Sequence, residues 1–201
     1  MKSLLFLTLF FLLPFFGILA TAAEDYSRFA QVESLSCDFL MERHLAIAEK
    51  PLVSTGSFYF RRPDFLRWDY KKPLPHGLLI NGNKVFSWRD EAGKRLVNDN
   101  GSQRMARQMA DQLRMFLTMD MEQIGKKYKV IPYPEGVDLL PIQSAQEQQQ
   151  IAKIRLVFDH SERKLPVVTQ TVITEKSGEE TVISYTGFQI NKPFPPGTDR
   201  P

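Results

Sequence analysis

Gly56-Ser57-Phe58-Tyr59-Phe60-Arg61-Arg62-Pro63-Asp64-Phe65-Leu66-Arg67-Trp68-Asp69-Tyr70 is the stretch that decides the fold. Residues 54–61 alternate with a period of two, which places Phe58 and Phe60 on one face of a strand. Arg62-Pro63-Asp64 is a turn, because proline fixes its own φ and cannot donate to a ladder. Residues 65–70 form the returning strand, stopped near Pro73. A second hairpin follows directly: residues 77–80, the pair Asn81-Gly82, then residues 84–88. Asn-Gly suits a type I′ turn, which joins antiparallel strands.

The pattern extends both ways from this pair of hairpins. Upstream, Phe29, Val32 and Leu35 recur at helical spacing behind a possible cap at Asp25, which predicts a helix over 25–35. Cys37, Phe39 and Met41 then alternate with Asp38, Leu40 and Glu42, giving a strand to about residue 47. Downstream, a strand near 94–97 completes a meander. Residues 102–119 switch to a helix, with Met105, Met109, Leu113 and Phe116 on one stripe. Strand signals resume at 128–133 and 137–142, and a polar segment covers 143–150. Strands at 151–159, 167–175 and 181–190 finish the chain, with a turn at Ser177-Gly178. The sum is a mainly β (α+β) chain of about ten or eleven antiparallel strands, and a sheet that long must curl, close or split.

The first residues read as an address rather than as part of that sheet. Lys2 is followed by an apolar run from Leu4 to Leu19, broken by Pro14 and Gly17, then by Ala20-Thr21-Ala22-Ala23 and the polar pair Glu24-Asp25. That is the layout of a secretory signal cleaved after Ala22 or Ala23. The run is shorter than the roughly 20 residues of a spanning helix. Residues 1–23 are therefore expected to be removed, leaving one exported domain over 24–201. The formal net charge of +3 loses only Lys2 and gives no case for nucleic acid or for strong membrane attraction. Cys37 is the one cysteine, so no internal disulfide forms, and the core alone must stabilise the domain. Lying beyond Glu24, Asp25, Arg28 and Glu33, it is also misplaced for lipidation.

Motifs that carry chemistry are missing. His44, His76 and His160 are scattered without ligand spacing, so no metal site is expected and each reads as a solvated surface histidine. There is no nucleophile elbow and no phosphate-cradling glycine loop, and Glu179-Glu180 sits at a turn. The chain is read as a non-enzyme without a cofactor. Arg61, Arg62, Arg67, Trp68, Lys71 and Lys72 could stack on and neutralise nucleic acid, but an export signal argues against that partner, leaving strands with solvated basic ends. The segment around the predicted helix is more telling. Met105, Met109, Met115, Met119 and Met121 are five of the seven methionines. Flexible, polarisable side chains of this kind adapt to irregular apolar partners, although an apolar stripe also serves as ordinary core.

The 56–70 stretch resembles the outer-membrane lipoprotein carrier (LolA) family: a glycine, an aromatic strand, a basic-Arg-Pro turn, then Arg-Trp and Tyr, with Pro73 shortly after. Asn81-Gly82 with Val85-Phe86-Ser87-Trp88 is similar to the family's next hairpin. Phe29-Ala30-Gln31-Val32 and Phe39 fit its opening, and Phe194-Pro195-Pro196-Gly197-Thr198 its end. The middle segment departs from the better-known carriers. The resemblance implies a single strongly curved antiparallel sheet, an incomplete barrel covered by lid helices. Into its hollow would go the acyl chains of a lipoprotein, released by an inner-membrane ABC transporter and handed to an outer-membrane receptor. It implies a monomeric carrier working in the periplasm of a Gram-negative cell. The family's arginine before the turn proline, which hydrogen-bonds the closed lid, corresponds to Arg62.

On this reading Phe58, Phe60, Trp68, Trp88, Met105, Met109, Leu113 and Phe116 are the candidate cavity or lid residues. One rival is a module of the same fold that senses lipid or lipoprotein and regulates a partner without transfer. The other is a hydrolase acting on lipid or envelope polymer, for which no nucleophile and base are in evidence.

Overall fold

The computed structural model describes residues 26–98, 103–142, 150–159 and 165–201, apart from the side chains of residues 103–106 and 109. The expected signal segment and His160 lie outside them. A short 3-10 helix, Tyr26–Gln31, leads into β1 (Ser34–His44), β2 (Leu52–Arg61), β3 (Phe65–Lys72), β4 (His76–Asn81), β5 (Lys84–Glu91) and β6 (Lys94–Asn98). Helices α1 (Gln103–Leu117) and α2 (Met121–Lys127) come next. They are followed by β7 (Tyr128–Tyr133), β8 (Gly136–Pro141), β9 (Ile151–Phe158), β10 (Val168–Glu175) and β11 (Glu180–Ile190). All strands belong to one antiparallel sheet in the order β6-β5-β4-β3-β2-β1-β11-β10-β9-β8-β7, with β6 and β7 left as unjoined edges. The sheet is not closed into a barrel.

That order explains where the helices must lie. Every other connection joins neighbouring strands, whereas the chain leaves the sheet at edge β6 and re-enters it at the opposite edge β7. The segment between them has to cross a face, and α1 packs over β4 and β5 while α2 abuts β7. This helix-covered face is termed inner. Its core runs through Leu35, Phe39, Phe58, Phe60 and Trp68 to Phe116, Leu139, Ile154 and Ile183. The outer face carries a smaller cluster of Phe65, Leu79 and Trp88, with Tyr59, Phe86 and Phe194 against it.

Several local expectations are corrected. The predicted opening helix is only the 3-10 turn, because Ser34 and Leu35 are drawn into the sheet, Leu35 pairing with Phe60 and Ile190. Phe29 and Val32 are still buried. β1 stops at His44, and Ile47 beyond it is 94% exposed. In the β4–β5 hairpin Asn81 pairs with Lys84, so the loop is Gly82-Asn83, and only Gly82 (φ 58°) is left-handed. That is the pattern of a type II′ turn rather than the expected I′. The I′ pattern occurs one hairpin later, at Ala92 (φ 50°) and Gly93 (φ 77°). α2 was not foreseen. Its start is capped by Asp120, whose Oδ1 accepts from the Gln123 backbone N–H at 3.1 Å. The Asp120-Met121-Glu122-Gln123 sequence is a readable cap signal.

Candidate functional site

Two glycines set the aromatic packing on the two faces. Phe39 in β1 is opposite Gly56 in β2, and a Cβ at Gly56 would overlap both the Phe39 ring and the Asp69 carbonyl oxygen. The missing side chain lets the ring lie flat on β2, with its centroid 5.1 Å from Trp68 and 5.3 Å from Tyr70. On the outer face Trp88 lies in the same way on Gly77 of the neighbouring strand.

Beyond the Phe39–Trp68–Tyr70 group the inner face is not filled. A cavity of about 410 Å³ lies between α1 and the sheet. Trp68 and Tyr70 of β3 and Leu78 of β4 form one wall; Ile173 of β10 with Ile183 and Tyr185 of β11 form the other. Met41 and Thr171 join them, Leu113, Phe116 and Gln112 of α1 form the roof, and His76 stands at an exposed rim. Among the described residues no lysine or arginine lines it. Its polar groups are largely engaged with one another. Tyr185 donates to the Thr171 hydroxyl at 3.5 Å, Gln112 donates to the Tyr128 hydroxyl at 2.9 Å, and the Tyr70 hydroxyl meets the Met41 sulfur at 3.9 Å. His76 stacks on Tyr70 with centroids 4.2 Å apart, and its Nδ1 is 2.8 Å from the Leu74 carbonyl oxygen. Burial pushes the Tyr185 and Tyr70 hydroxyls above the ordinary phenol range. The Cys37 thiol, buried nearby in the same core, is pushed up to about 12, first by burial and then by the Asp38 carboxylate. This is the electrostatic signature of a dry interior.

The residues singled out from sequence are distributed as follows. Trp68, Leu113 and Phe116 border the cavity. Phe58 and Phe60 are on the inner face but wholly within the core, Phe60 also flooring a smaller space of about 170 Å³ under α1. Trp88 is corrected: it is on the outer face, clamped between Arg67 at 4.7 Å and Arg95 at 5.6 Å from its ring centroid. The side chains of Met105 and Met109 lie outside the described residues, while Met115 and Met119 are buried in the core. Arg62 borders the space beside α1, but its Nε donates to the Val32 carbonyl oxygen at 3.0 Å. The bonds tying α1 to the neighbouring turns come instead from the helix: Arg114 donates to the Pro63 carbonyl oxygen at 3.1 Å and pairs with Asp64 at 3.6 Å, and Arg107 donates to the Asn83 carbonyl oxygen at 2.5 Å. Arg67 is not a solvated basic end either. It is buried, paired with Asp69 at 2.6 Å, and donates to the carbonyl oxygens of Thr198 and Arg200.

Met41, Tyr70, Leu78, Ile173, Ile183 and Tyr185 were missed as cavity residues. Their signal is parity: each is on the face of its strand that pairs it, directly or through a neighbour, with Phe39 or Trp68. Among the described residues no group of three or more His, Cys, Asp or Glu could hold a metal, and no helix is long and apolar enough to cross a membrane.

An open antiparallel sheet with a helix crossing an unfilled apolar hollow defines a binding module. The family model for outer membrane lipoprotein carrier protein LolA matches residues 30–198, and the chain belongs to that family. No curated protein matches it. Among solved structures it is similar to MucB (15% identity, TM-score 0.51, covering 89% of this chain and 62% of that one). It is also similar to the Pseudomonas aeruginosa MucA/MucB complex (13%, TM-score 0.50, 88% and 58%). A third is the LolA superfamily protein NE2245 of Nitrosomonas europaea (10%, TM-score 0.43, 82% and 89%). At these identities the likeness is one of fold.

Proposed function

We propose that this chain is a non-catalytic periplasmic carrier that receives an acylated lipoprotein, or a related lipid, from an inner-membrane ABC transporter and delivers it to an outer-membrane receptor. Residues 1–23 are then its cleaved export signal. The observation that carries this reading is the cavity of about 410 Å³, walled by apolar side chains from both halves of one sheet and roofed by α1. At about 30 Å³ per water-sized group, it has room for a single acyl chain in the closed form described here. Each methylene moved into it from water is worth about 0.8 kcal/mol. Release needs an opposing term, and re-closure of α1 over the vacated hollow supplies it. A rival reading, a sensor that binds cargo without passing it on, draws support from the same fold occurring in MucB crystallised with MucA.

Native mass spectrometry with lipid extraction tests the proposal on mature protein taken from its own periplasm. A stoichiometric acylated protein or lipid is the expected finding, and transfer of that cargo to outer-membrane vesicles separates carrier from sensor. Empty protein that takes up neither acylated peptide nor phospholipid in vitro rejects the lipid-cavity reading.

A further inference from the structure

The outer face carries an irregularity that the packing of the sheet does not call for. Asp38 of β1 pairs with Thr186 of β11 and Ser36 with Gln189, so two steps along β1 are matched by three along β11. The extra residue is a β-bulge with Gly187 in the left-handed region at φ 66°. Bulges gather beside functional sites, where they re-aim side chains. Here the residue without a side chain leaves a depression, and a space of about 370 Å³ opens over it. Ser36, Asp38, Tyr59 and Gln189 border that space, and Phe194 of the tail completes it.

Its polar groups are largely unspent. Oδ1 of Asp38 accepts from the Ser57 hydroxyl at 2.6 Å and from the Lys71 ammonium at 3.2 Å, and both bonds leave Oδ2 free. A Cβ placed on Gly187 would lie 3.7 Å from that Oδ2, so the free oxygen overlooks the depression. Among the described residues the Ser36 and Tyr59 hydroxyls and the Gln189 side-chain amide have no hydrogen-bond partner. Tyr59 and Phe194, with ring centroids 5.5 Å apart, add an aromatic wall.

We propose that this pocket is a second ligand site, which takes a neutral polyol in the form of one sugar ring of a glycan. It lies on the face of the sheet away from α1 and does not depend on what fills the hollow. Neutrality follows from the charges. Ser57, and after it Lys71, hold the Asp38 carboxyl below the ordinary carboxylate range, so an anion meets an ionised carboxylate. No lysine or arginine among the described residues lines the space to offset that repulsion. An added cation would meet Lys71, which already neutralises Asp38. A sugar ring meets neither obstacle. Its hydroxyls donate to Oδ2 and exchange hydrogen bonds with Gln189 and Ser36, while its C–H face packs on the aromatic wall.

The test is titration of the ¹⁵N-labelled full chain with glucose and with N-acetylglucosamine, followed at the backbone amides of Gly187 and Gln189. At least one sugar is expected to move both amides with a Kd on the order of 1–10 mM, the level that a few exposed hydrogen bonds reach. Asp38→Asn still accepts from Ser57 but loses the charge, and should weaken that binding about fivefold. Gly187→Asn tolerates the left-handed backbone and fills the depression, and should abolish it. Should Gly187→Asn fail to fold, Asp38→Asn at its exposed position decides. Affinity for a fluorescent acyl probe is expected to stay the same at saturating sugar, because the two sites are on opposite faces. Competition between sugar and acyl probe would put the sugar in the hollow and overturn the proposal. So would unmoved amides at about 100 mM of either sugar, well above the expected Kd. Shifts that persist undiminished in both variants overturn it too, as does tighter binding of methylammonium or inorganic phosphate at the same amides.

Discussion

The inner and outer faces of this sheet begin alike and finish differently. Each rests an aromatic ring on a glycine of the adjacent strand, Phe39 on Gly56 inside and Trp88 on Gly77 outside. Outside, the chain completes the packing with its own last residues. Phe194 meets Tyr59 and Phe65 at 5.5 and 5.6 Å between centroids, and Arg67 holds the tail by the carbonyl oxygens of Thr198 and Arg200. Asn191 (φ 54°) guides the tail there, its side chain accepting from the Glu33 and Ser34 N–H groups and donating to the Gln31 carbonyl oxygen. Inside, α1 covers the sheet without filling it. Apolar surface closed with self is stability; apolar surface roofed over a hollow is stability withheld, available to a ligand.

The largest effects come from the two glycines. Gly56→Ala should cost about 3 kcal/mol or more in urea unfolding, at the upper end for overpacking, because the new methyl meets a backbone oxygen that cannot swing away as well as the Phe39 ring. Gly77→Ala meets only the Trp88 side chain and should cost about 1–2 kcal/mol. Equal costs would mean that Trp88 is as tightly fixed as the sheet backbone itself.

Next in size is a pair of substitutions with crossed effects. Phe194→Ala should lower stability by about 1–2 kcal/mol, less than for a fully buried phenylalanine, and leave acyl-probe affinity unchanged. Ile173→Phe projects into the cavity, and should change stability by less than about 1.5 kcal/mol while weakening acyl binding at least about tenfold. Titrating both variants with one fluorescent acyl probe checks the division. A binding defect in Phe194→Ala would show that the two faces are coupled.

Alkaline pH gives a third contrast. The Cys37 thiol is pushed up to about 12, whereas in the unfolded chain it ionises near 9. The folded state therefore holds a proton that the unfolded state loses, and stability falls as pH rises from about 9 toward 12. At pH 10 the loss is about 1.4 kcal/mol. Tyr70 and Tyr185, raised in the same direction by burial, steepen the fall at higher pH. Cys37→Ala should flatten the curve of unfolding free energy between pH 9 and 10. An unchanged slope would mean that water reaches the thiol in the folded state.

The strands were legible because their signals are local. Phe58 and Phe60 alternate, Pro63 turns the chain, and a glycine follows Asn81, so the hairpins could be placed within a residue or two. What alternation cannot say is which face is inner when both are apolar. In Val85-Phe86-Ser87-Trp88 the register puts Val85 opposite Ile80 on the inner face and Trp88 opposite Gly77 on the outer, a distinction that only pairing reveals. The cavity was hidden for a related reason: its lining comes from β1, β3, β4, β9, β10, β11 and α1, one to three residues at a time. Ala92 in a left-handed turn position was unreadable, because nothing about alanine announces it.

The smallest effect tests what keeps α1 closed. Its ties to the sheet, Arg114 to Pro63 and Asp64 and Arg107 to Asn83, are exposed, and contacts of that kind are worth about 0–1 kcal/mol each. A roof so lightly held suits the opening that the proposed carrier role would require. Arg114→Ala should therefore change stability by less than about 1 kcal/mol, yet raise the acyl-probe off-rate by up to about fivefold, since even 1 kcal/mol is a factor of about five. Arg62→Leu removes a bond to Val32, which ties the β2–β3 turn to the segment before β1 rather than to the helix, so its effect should be on stability and not on release. Stopped-flow dissociation of the same probe from both variants decides between them. Faster release from Arg62→Leu with none from Arg114→Ala would return the latch to Arg62. Release unchanged in both would mean that α1 is held by Leu113 and Phe116 on the apolar walls alone, and that opening is governed by the burial the cargo itself must match.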